Sequence, residues 1–541
     1  MSTSVHLAGE RPAGNPHGTR SAVLARNGVI ATSQPLASAA GLRVLQAGGN
    51  AIDAAVTAAA VLAVVEPTMT GVGGDVFALV YDAHTKRLRG LNSSGRAGTR
   101  ANADALIARG LTSMPAEGAY PITVPGAVAG WAALLEQHGT ISLAQALEPA
   151  IAYARDGFAV SEIIGAQWAA AAPRLDAAAA AVFLPAGRAP HPGEIFRNPD
   201  LGMTLHQIAD NGGDAVYRGP IGAAIVADVE KRGGFLTVDD FAAHQADWVE
   251  PISTTYRGYQ LHELPPNTQG FVALEMLNIL EGYDLGALGH NSAEYLHRLA
   301  EAKRIAFADR AAHLADPAWV PPDTLAQLIS KDYAAARRRE IGDRAARSYA
   351  SGVSFHGHDR GDTVYLAAAD RRGNVVSFIN SLFSDFGSGI VAAGTGVMLH
   401  NRGLGFTLER GHPNRLAPGK RPLHTLVPAL LTKDGRPFMA FGVMGADNQA
   451  QAHAQIVANV VDFGMNVQEA GEAARVRHLD EGLAVENGIE PDVVKSLEQR
   501  GHVLLDGRGL VGGYQAVMID QANGVLMGGS DPRKDGLAIG W

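Results

Sequence analysis

The sequence predicts an α+β fold in which layers of helices cover packed β-sheets, and three observations support this prediction. Helical patterns dominate the segment from Gly126 to about Ile329, whereas short strands joined by turns dominate after Thr363. The apolar residues of those strands alternate only weakly with polar ones, which is typical of sheets covered on both faces. Apolar residues also make up 47% of the 541-residue chain, a globular composition. We therefore expect the helices to lie outside the sheets.

The N-terminal segment predicts a leader followed by two helices. Residues 1–33 lack the apolar core of a secretory signal, so we expect a loose leader and a cytoplasmic protein. Pro35 begins the first helix, and a Gly-Gly pair ends it. Asn50 then caps a second helix, whose apolar run from 51 to 65 is about 15 residues, shorter than the ~20 needed to span a bilayer. We expect this second helix to be buried in the protein.

Four β-hairpins are predicted where apolar runs flank turn residues. One lies early in the chain, around His84, and the other three follow Thr363. Two of the later hairpins turn at Asp434-Gly435 and Asn523-Gly524, dipeptides that strongly favour short hairpins. The paired stretches are "VFALVYDA" with "RLRGLNSS", "TVYLAAAD" with "NVVSFINS", "ALLTK" with "RPFMAFGVMG", and "YQAVMID" with "VLMGGS". Between the last two hairpins we expect helices in "NQAQAHAQIVANVVDFG" and "VQEAGEAARVRH".

Composition excludes several classes of function. The net charge of -9 and the absence of a basic, aromatic-containing block argue against a nucleic-acid partner. The chain has no cysteine, which excludes disulfides, thiolate catalysis and cysteine-based metal sites. The segment "HGHD" at 356–359 raises the alternative of a metal site, but the sequence supplies no identifiable further ligands, so a solvated loop is preferred. We expect neither a resident metal nor a cofactor.

The boundary at Thr363 has two interpretations. A polar segment from His356 to Asp362 gives way there to an apolar run. The threonine either opens an ordinary buried strand or is a nucleophile in a chain that is cut in front of it. A threonine hydroxyl needs an adjacent base, and a newly formed α-amino group, with a pKa of roughly 7.7–8.0, would provide one. The local sequence leaves both interpretations open.

Two glycine-containing turns are further candidates for a site. The stretch "MTGVGGDVF", 69–77, precedes a strand rather than a helix and lacks Gly-Lys-Ser/Thr, so it favours a tight turn over a dinucleotide or phosphate loop. The stretch "FGVMGADNQAQAH", 441–453, runs from a strand into a helix and would aim backbone N–H groups at one point, as an oxyanion hole requires. The alternative is an ordinary turn in which Asp447 caps the helix.

A series of motifs occurs in order along almost the whole chain. They are "GGNAIDAAV" at Gly48, "EPTMTGVGGD" at Glu66, "VPGAVAGW" at Val124, "GDTVYLAAAD" at Gly361, "FGSGIV" at Phe386, "APGKRPLHTLVPALL" at Ala417, "GVMGADNQ" at Gly442 and "SDPR" at Ser530. In this order they resemble the γ-glutamyltransferase family of N-terminal-nucleophile (Ntn) hydrolases, in particular its divergent branch of glutathione hydrolase-like and oxamate amidohydrolase-like proteins.

The resemblance implies a four-layer αββα sandwich, the Ntn-hydrolase fold, and an inactive precursor that cleaves itself between Asp362 and Thr363. Residues 1–362 would form a large chain and residues 363–541 a small chain, which stay associated as one αββα domain.

The resemblance also implies catalytic roles. Thr363 would be the nucleophile, and Ser381 lies where the family has a threonine that orients it. Gly445 and Ala446 fall on the family's two oxyanion-hole glycines. The donors there are backbone N–H groups, so an alanine can take the place of a glycine if it can adopt the required backbone angles.

The substrate-binding positions depart from the family pattern. Ser94, Phe383 and Gly405 stand where γ-glutamyl enzymes have an arginine, an asparagine and an aspartate that bind the substrate's α-carboxylate and α-amino groups. A pair of family serines corresponds to His424 and Thr425. A phenylalanine cannot replace the hydrogen bonds of an amide, and a glycine removes the carboxylate that would pair with an α-ammonium.

Two arginines near these positions are candidates to bind a substrate carboxylate. Arg96 lies two residues after Ser94, and Arg402 lies just before Gly405. Either arginine could bind a substrate carboxylate through two hydrogen bonds. The alternative for each is a structural ion pair within the protein. Asp447 completes the candidate substrate-binding residues.

The sequence therefore predicts a self-processing threonine amidohydrolase that acts on a small acidic amide or on a γ-glutamyl compound. True γ-glutamyl transfer or glutathione hydrolysis is the alternative within enzymes, and a non-catalytic binding protein that keeps the fold is the alternative of another class. The expected partners are the small-molecule amide and the two chains of one precursor, with a dimer of paired chains left open. No membrane partner is expected.

Overall fold

The structure is a computed structural model that describes residues 18–350 and 362–541, with only the backbone described at Asp362. Its strands are β1 (Val23–Ala25), β2 (Gly28–Thr32), β3 (Asp75–Asp82), β4 (Arg87–Ser93), β5 (Phe158–Ala159), β6 (Ile195–Phe196), β7 (Asp247–Val249), β8 (Ile252–Tyr256), β9 (Tyr259–Glu263), β10 (Asp362–Asp370), β11 (Val375–Phe383), β12 (Ala429–Lys433), β13 (Arg436–Val443), β14 (Val476–His478), β15 (Leu483–Val485), β16 (Leu504–Asp506), β17 (Tyr514–Asp520), β18 (Val525–Ser530) and β19 (Leu537–Gly540).

The helices of the first part of the chain are α1 (Pro35–Gln46), α2 (Ala51–Val65), α3 (Ala103–Ala108), α4 (Ala127–His138), α5 (Leu143–Asp156), α6 (Glu162–Ala171), α7 (Ala177–Phe183), α8 (Pro199–Asn211), α9 (Asp214–Tyr217), α10 (Pro220–Lys231), α11 (Val238–Ala242), α12 (Gly270–Leu280), α13 (Leu285–Leu288), α14 (Ala293–His313), α15 (Thr324–Leu328) and α16 (Lys331–Arg338). After β13 come α17 (Asn448–Val461), α18 (Val467–Glu472) and α19 (Pro491–Gln499). Among the described residues, no helix combines the length and apolar character needed to cross a bilayer.

Two seven-stranded sheets form the centre of the molecule. Sheet I has the order β19-β2-β10-β11-β3-β4-β7, and sheet II has the order β1-β18-β17-β13-β12-β9-β8. All the strand pairs within both sheets are antiparallel. The hairpins β3–β4, β10–β11, β12–β13 and β17–β18 correspond to the four predicted from the sequence.

Three apolar clusters show that the sheets lie between helical layers. One joins residues of β3, β10 and β11 in sheet I to residues of β12, β13 and β17 in sheet II, so the two sheets pack face to face. A second joins the other face of sheet I to α1, α2, α4 and α5. The third joins the other face of sheet II to α12, α14 and α17. This is the predicted αββα sandwich, and burial on both faces explains the weak alternation within the strands.

Helix α2 illustrates how local sequence and packing agree. The Asn50 side chain accepts hydrogen bonds from the N–H groups of Ile52 and Asp53. The Asp53 carboxylate in turn accepts a hydrogen bond from the Asn50 N–H, and the two interactions form a capping box. Every residue from Ala51 to Val65 is buried. The prediction of a buried helix in this segment is confirmed.

Some predictions of secondary structure are wrong. The segment expected to be a loose leader contains two strands: β1 pairs within sheet II and β2 pairs within sheet I. Such short strands become stable once neighbouring strands pair with them. Within the segment expected to be mostly helical, β8 and β9 form a hairpin at the edge of sheet II. The end of the predicted helix "VQEAGEAARVRH" is instead the strand β14.

Candidate active site

Thr363 and Ser381 meet at one end of the β10–β11 hairpin. The Thr363 hydroxyl donates a hydrogen bond of 3.1 Å to the Ser381 hydroxyl, and both side chains are buried. Ser381 Oγ also accepts a 2.8 Å hydrogen bond from the Phe383 N–H. The structure therefore brings together the predicted nucleophile, Thr363, and the residue predicted to orient it, Ser381.

The backbone around this pair is irregular. The register of β10 against β11 shifts between Asp362 and Val364, so Thr363 lies at an irregularity in the strand pairing whose extra residue belongs to β11. Phe383 has a φ of 81°, in the left-handed region that non-glycine residues rarely occupy. Such irregularities are common beside active sites, and here one accompanies the contact between Thr363 Oγ1 and Ser381 Oγ.

A buried row of charged and neutral groups lies behind the pair. Asp75, at the start of β3, accepts a 3.1 Å hydrogen bond from His424 Nε2–H and further bonds from the N–H groups of Gly95 and Gly126. His400 Nδ1 lies 3.9 Å from the same carboxylate. Sequence reasoning quoted Asp75 within a motif but gave it no role.

Burial lowers the pKa of both histidines of this row. Burial lowers the pKa of His424 to about 3, and the charge of Arg402 lowers it further against the opposing effect of Asp75. Burial likewise lowers the pKa of His400. Burial by itself would raise the pKa of Asp75, but His400, His424 and Arg402 hold it below its ordinary value. The row therefore carries one buried carboxylate and one buried guanidinium.

Arg402 is fully buried and only partly hydrogen-bonded. Its Nη1 donates a 3.1 Å hydrogen bond to Thr425 Oγ1, and its guanidinium lies 4.1 Å from the centre of the Phe383 ring. Among the described residues, its Nε and Nη2 have no hydrogen-bond partner. Burial lowers the pKa of Arg402 to about 9, against the opposing charges of Asp75 and Asp447. Arg402 therefore remains a cation at neutral pH, with donors available for a ligand.

The turn between β13 and α17 contains Gly445 and Ala446, the two residues predicted to form an oxyanion hole. Gly445 has a φ of 119° and Ala446 a φ of 51°, and their carbonyl groups accept hydrogen bonds from the N–H groups of Asn448 and Gln449. Within the described part of the chain, the N–H groups of Gly445 and Ala446 donate no hydrogen bond to a backbone carbonyl. Two such N–H groups are what a developing oxyanion needs.

Gln269 links this turn to Thr425, the hydrogen-bond partner of Arg402. Its Nε2 donates hydrogen bonds to the carbonyl groups of Thr425, at 2.8 Å, and Ala446, at 3.1 Å. Sequence reasoning missed Gln269, because only the tertiary fold brings the start of α12 to these two loops.

Asp447 lies at the N-terminus of α17 but does not cap it. Its side chain makes no capping hydrogen bond, and its Oδ1 instead binds Arg310 Nη2 at 2.5 Å. The alternative in which the Asp447 side chain caps the helix is therefore not observed. Sequence reasoning also missed Arg310, which α14 carries into the site.

Arg96 is placed differently from Arg402. Its Nη1 lies 3.3 Å from Asp316 Oδ2 and donates to the Gly419 carbonyl, and nearly half of its side chain is exposed. This is the ion-pair alternative foreseen for it. Of the two candidate arginines, Arg402 is the one that contacts Thr425 and Phe383.

The three departures from the family pattern are all buried. Ser94 Oγ donates to Asn92 Oδ1 at 2.7 Å. Phe383 belongs to an apolar cluster that also contains Leu404, Phe406 and Ala446. Gly405 packs tightly, since a Cβ there would lie 2.7 Å from the Leu423 carbonyl oxygen. The segment at 356–359, for which a solvated loop was preferred to a metal site, lies outside the described residues.

Comparison with known proteins places the chain among enzymes that act on amide bonds. The family model described as Gamma-glutamyltranspeptidase matches residues 37–541. The Glutathione hydrolase-like YwrD proenzyme of Bacillus subtilis (strain 168) is 40% identical over 96% of this chain and 99% of its own length. The Acylase ACY 1 proenzyme of Pseudomonas sp. (strain V22) is 37% identical over 95% of this chain and 93% of its own.

A solved structure agrees with this placement. The crystal structure of cephalosporin acylase from Bacillus halodurans superposes with a TM-score of 0.92 and 42% sequence identity, covering 98% of this chain and 99% of that one. The shared fold extends over the whole sandwich.

Proposed function

Because the chain belongs to the γ-glutamyltranspeptidase family of Ntn hydrolases and is an enzyme acting on amide bonds, we propose that it is a self-processing amidohydrolase whose nucleophile is Thr363. Its preferred substrate is an amide of a small acidic acyl group that has no α-amino group. The buried guanidinium of Arg402, two of whose nitrogen atoms have no hydrogen-bond partner among the described residues, is the observation that carries the substrate assignment.

Self-processing uses the hydroxyl that Ser381 orients. Thr363 Oγ1 attacks the carbonyl carbon of Asp362, the C–N bond between the two residues breaks, and the proton of the hydroxyl moves to the Thr363 nitrogen. Water then hydrolyses the resulting ester, which leaves a carboxylate on Asp362 and a free α-amino group on Thr363. The irregular pairing at Thr363 supports this step, because the hydroxyl and the preceding peptide lie where the regular pairing of β10 with β11 is interrupted.

Amide hydrolysis uses the new α-amino group. This group accepts the proton of Thr363 Oγ1 as the oxygen attacks the substrate carbonyl. The N–H groups of Gly445 and Ala446 stabilise the oxyanion, and the leaving nitrogen takes the proton as the C–N bond breaks. Water, activated by the same amino group, then hydrolyses the acyl-enzyme.

Arg402 sets the acyl specificity. Its guanidinium lies against Phe383, which pairs with the residue before Thr363, and against Thr425. A substrate carboxylate would give its Nε and Nη2 the acceptors that they lack among the described residues. Leaving a buried polar group unpaired costs about 1–3 kcal/mol, so a bound carboxylate recovers that cost. Neither Phe383 nor Gly405 has a side-chain acceptor or a negative charge for an α-ammonium group, and this disfavours γ-glutamyl substrates.

The test compares three p-nitroanilides that differ only in the acyl group. Glutaryl-p-nitroanilide has the carboxylate without the α-amino group, γ-glutamyl-p-nitroanilide has both, and pentanoyl-p-nitroanilide has neither. We expect the glutaryl compound to have the highest kcat/KM, and Arg402→Ala to lower that value by at least tenfold while Arg402→Lys recovers part of it. Arg100→Ala, which removes an exposed arginine paired with Glu230, is the matched control. Equal kcat/KM values for the glutaryl and pentanoyl compounds would refute the acidic acyl group.

Genuine γ-glutamyl transfer is the second candidate, because the family and a relative named glutathione hydrolase-like favour it. It predicts that γ-glutamyl-p-nitroanilide is the best of the three substrates and that glycylglycine accelerates release of p-nitroaniline. If neither holds, hydrolysis of an acidic amide remains the preferred function.

A further inference from the structure

Two histidines and a glutamate form a buried cluster outside the candidate active site. His297 and Glu301 lie one turn apart on α14, and His502 follows α19. One possible ligand atom from each of the three side chains lies within 4.8 Å of the other two, and all three residues are buried. Because His297 and His502 are 205 residues apart in sequence, sequence reasoning could not have found this cluster.

The cluster and the candidate active site lie toward opposite ends of α14. This helix has 21 residues, and at a rise of 1.5 Å per residue it is about 30 Å long. His297 and Glu301 lie in its first half, whereas Arg310, which reaches the active site, lies in its last turn. A metal ion held by the cluster would therefore be structural and would take no part in amide hydrolysis.

The hydrogen bonds of His297 orient its Nδ1 toward His502. His297 Nε2 lies 2.9 Å from the carbonyl oxygen of Gly342, which can only accept, so Nε2 carries the hydrogen. In the neutral ring Nδ1 is then an acceptor, and it lies 2.9 Å from His502 Nε2. Metal-binding histidines usually donate their other N–H to a carbonyl or carboxylate in this way. His297 is thus oriented as a metal ligand is, with the Gly342 carbonyl fixing its ring.

A metal ion could replace the hydrogen that lies between the two rings. His502 Nε2–H donates to His297 Nδ1 in the metal-free arrangement. Transfer of this hydrogen to His502 Nδ1 gives the other neutral tautomer and leaves two nitrogen lone pairs facing each other. Two nitrogens that each bind a tetrahedral Zn²⁺ at about 2.0–2.1 Å are about 3.3 Å apart. The rings, now 2.9 Å apart at these atoms, would need to separate only slightly.

Glu301 can supply the third ligand. A carboxylate offers about four acceptor positions, and three of them are used within the described part of the chain. Its Oε2 accepts from the Tyr349 hydroxyl at 2.5 Å and from the Ala346 N–H at 3.1 Å, and its Oε1 binds Arg304 Nη1 at 3.0 Å. Oε1 therefore keeps one acceptor position for a cation.

The arginines whose charges act on the two histidines are themselves paired with acids. Arg298 and Arg500 both bind Glu294, and Arg304 binds Glu301 itself. The last pair opposes metal binding, because a metal ion would have to share the carboxylate with a guanidinium. This competition lowers the affinity for a metal but leaves both imidazole ligands in place.

We propose that His297, Glu301 and His502 bind a Zn²⁺ ion, with water as the fourth ligand, and that this ion ties the large chain to the small chain. Imidazole ligands suit Zn²⁺, whereas Mg²⁺ and Ca²⁺ prefer oxygen ligands. His297 and Glu301 precede residue 363, and His502 follows it. Metal binding does not depend on the proposed function, and only the link between two chains rests on self-cleavage. The proposal replaces the expectation, based on sequence alone, that the protein holds no resident metal.

The test measures Zn²⁺ binding to tag-free protein from which a chelator has removed metals. Zn²⁺ is titrated in competition with a chromogenic chelator, and bound zinc is counted by elemental mass spectrometry. We expect one Zn²⁺ per pair of large and small chains, and a melting temperature that rises with Zn²⁺ but not with Mg²⁺. Glu301→Gln and His502→Gln should each raise the Kd for Zn²⁺ by at least about tenfold. Glutamine keeps hydrogen-bonding groups at both positions, so both variants should fold.

The matched control is His206→Gln, because His206 is an exposed histidine with Asp210 one turn later on α8. It should leave the Kd at its wild-type value. No Zn²⁺ binding by the wild type, or a Kd that both cluster variants leave unchanged, would overturn the metal site. Uncut Thr363→Ala should bind Zn²⁺ as the wild type does, which separates a failure of the metal site from a failure of self-cleavage.

The link between the chains has its own readout. Removal of Zn²⁺ should lower the urea concentration at which the two chains of the processed protein separate on size exclusion. The His502→Gln variant should already separate at that lower concentration, with or without Zn²⁺. Separation of the wild type at the same urea concentration in the presence and absence of Zn²⁺ would overturn the link.

Discussion

At the scale of single residues, the chemistry depends on one hydrogen bond between two buried hydroxyl groups. Thr363 Oγ1 lies 3.1 Å from Ser381 Oγ, and the Phe383 N–H fixes the serine in turn at 2.8 Å. A nucleophile displaced by about 1 Å can lose on the order of 100-fold in rate. We therefore propose that Ser381 is a positioning residue, and its effect on kcat can be measured.

Substitution of Ser381 tests this role. Ser381→Ala should lower both the rate of self-cleavage and kcat by roughly 100-fold, because the Thr363 hydroxyl loses its acceptor. Ser381→Thr keeps the hydroxyl and should retain most of both rates. Stopped time courses on denaturing gels measure the first rate, and p-nitroanilide release measures the second. An alanine variant as fast as the threonine variant would rule out the positioning role.

The buried histidines predict a sensitivity to acid. The folded-state pKa of His424 is about 3, whereas an unfolded histidine titrates near 6.5. Between these values the unfolded chain binds a proton that the folded chain does not, so the free energy of unfolding falls as the pH drops below about 6.5. At pH 5 the loss from His424 is about 2 kcal/mol.

Urea unfolding at pH 7.5 and pH 5 measures this loss. His424→Gln keeps a donor for Asp75 but has no titratable group, so its stability should depend on pH less steeply by about 2 kcal/mol over this interval. The same loss in the variant and the wild type would assign the acid sensitivity to other groups.

Sequence could propose roles at this scale for Thr363 and the turn residues, which stand in motifs, and for Ser381, which falls on a matching position of the family. The positions of Asp75, His400, Gln269 and Arg310 could not be predicted, because their partners lie far along the chain. Local sequence also could not distinguish Arg96 from Arg402, since the difference between them is burial and not residue type.

At the scale of elements, the turn from β13 into α17 carries the most unusual backbone of the site. Gly445 has a φ of 119°, a conformation that side chains disfavour, and Ala446 occupies the left-handed region with a φ of 51°. This conformation costs an alanine about 1–2 kcal/mol. A turn that keeps such a residue is held by its surroundings, here by Gln269 and the start of α17.

Substitutions in the turn distinguish the effect of its backbone conformation on kcat from the effect of its side chains. Ala446→Gly keeps the N–H donor and should leave kcat within about twofold, with thermal stability nearly unchanged because relief of strain offsets the added chain entropy. Gly445→Ala should lower kcat at least tenfold, because the new Cβ would lie 3.3 Å from Asn448 Cβ in a strained backbone. Comparable kcat values in the two variants would contradict a requirement for this backbone geometry.

The elements themselves were mostly predictable, and the exceptions share a cause. The hairpins with Asp-Gly and Asn-Gly turns formed as expected, because their turn residues specify local geometry. Strands β1 and β2 have only three and five residues and lie in a polar segment, so their pairing partners rather than their own pattern define them. The β8–β9 hairpin turns at Arg257-Gly258, a signal present in the sequence but set within a long helical region.

At the scale of the whole molecule, both parts of the chain build both sheets. Sheet I combines β2, β3, β4 and β7 from residues before 363 with β11 and β19 from residues after it. Sheet II likewise combines β1, β8 and β9 with β12, β13, β17 and β18. A cut before Thr363 would therefore divide two continuous hydrogen-bonded sheets and the apolar cluster between them.

This division predicts that the two chains stay together after processing. They should co-elute on size exclusion at the mass of the pair or of a dimer of pairs, and should separate only in denaturant. Separate elution of the two chains under native conditions would contradict the shared sheets.

The most direct test of the account is the N-terminal sequence and mass of the purified protein. We expect two chains of roughly 37 and 19 kDa, at about 0.1 kDa per residue, with the smaller beginning Thr-Val-Tyr-Leu. Thr363→Ala should remain a single uncut chain without amidase activity. A wild-type protein that stays uncut on prolonged incubation, or a Thr363→Ala variant that is cut at the same bond, would contradict the claim that Thr363 cleaves its own chain and then acts as the nucleophile.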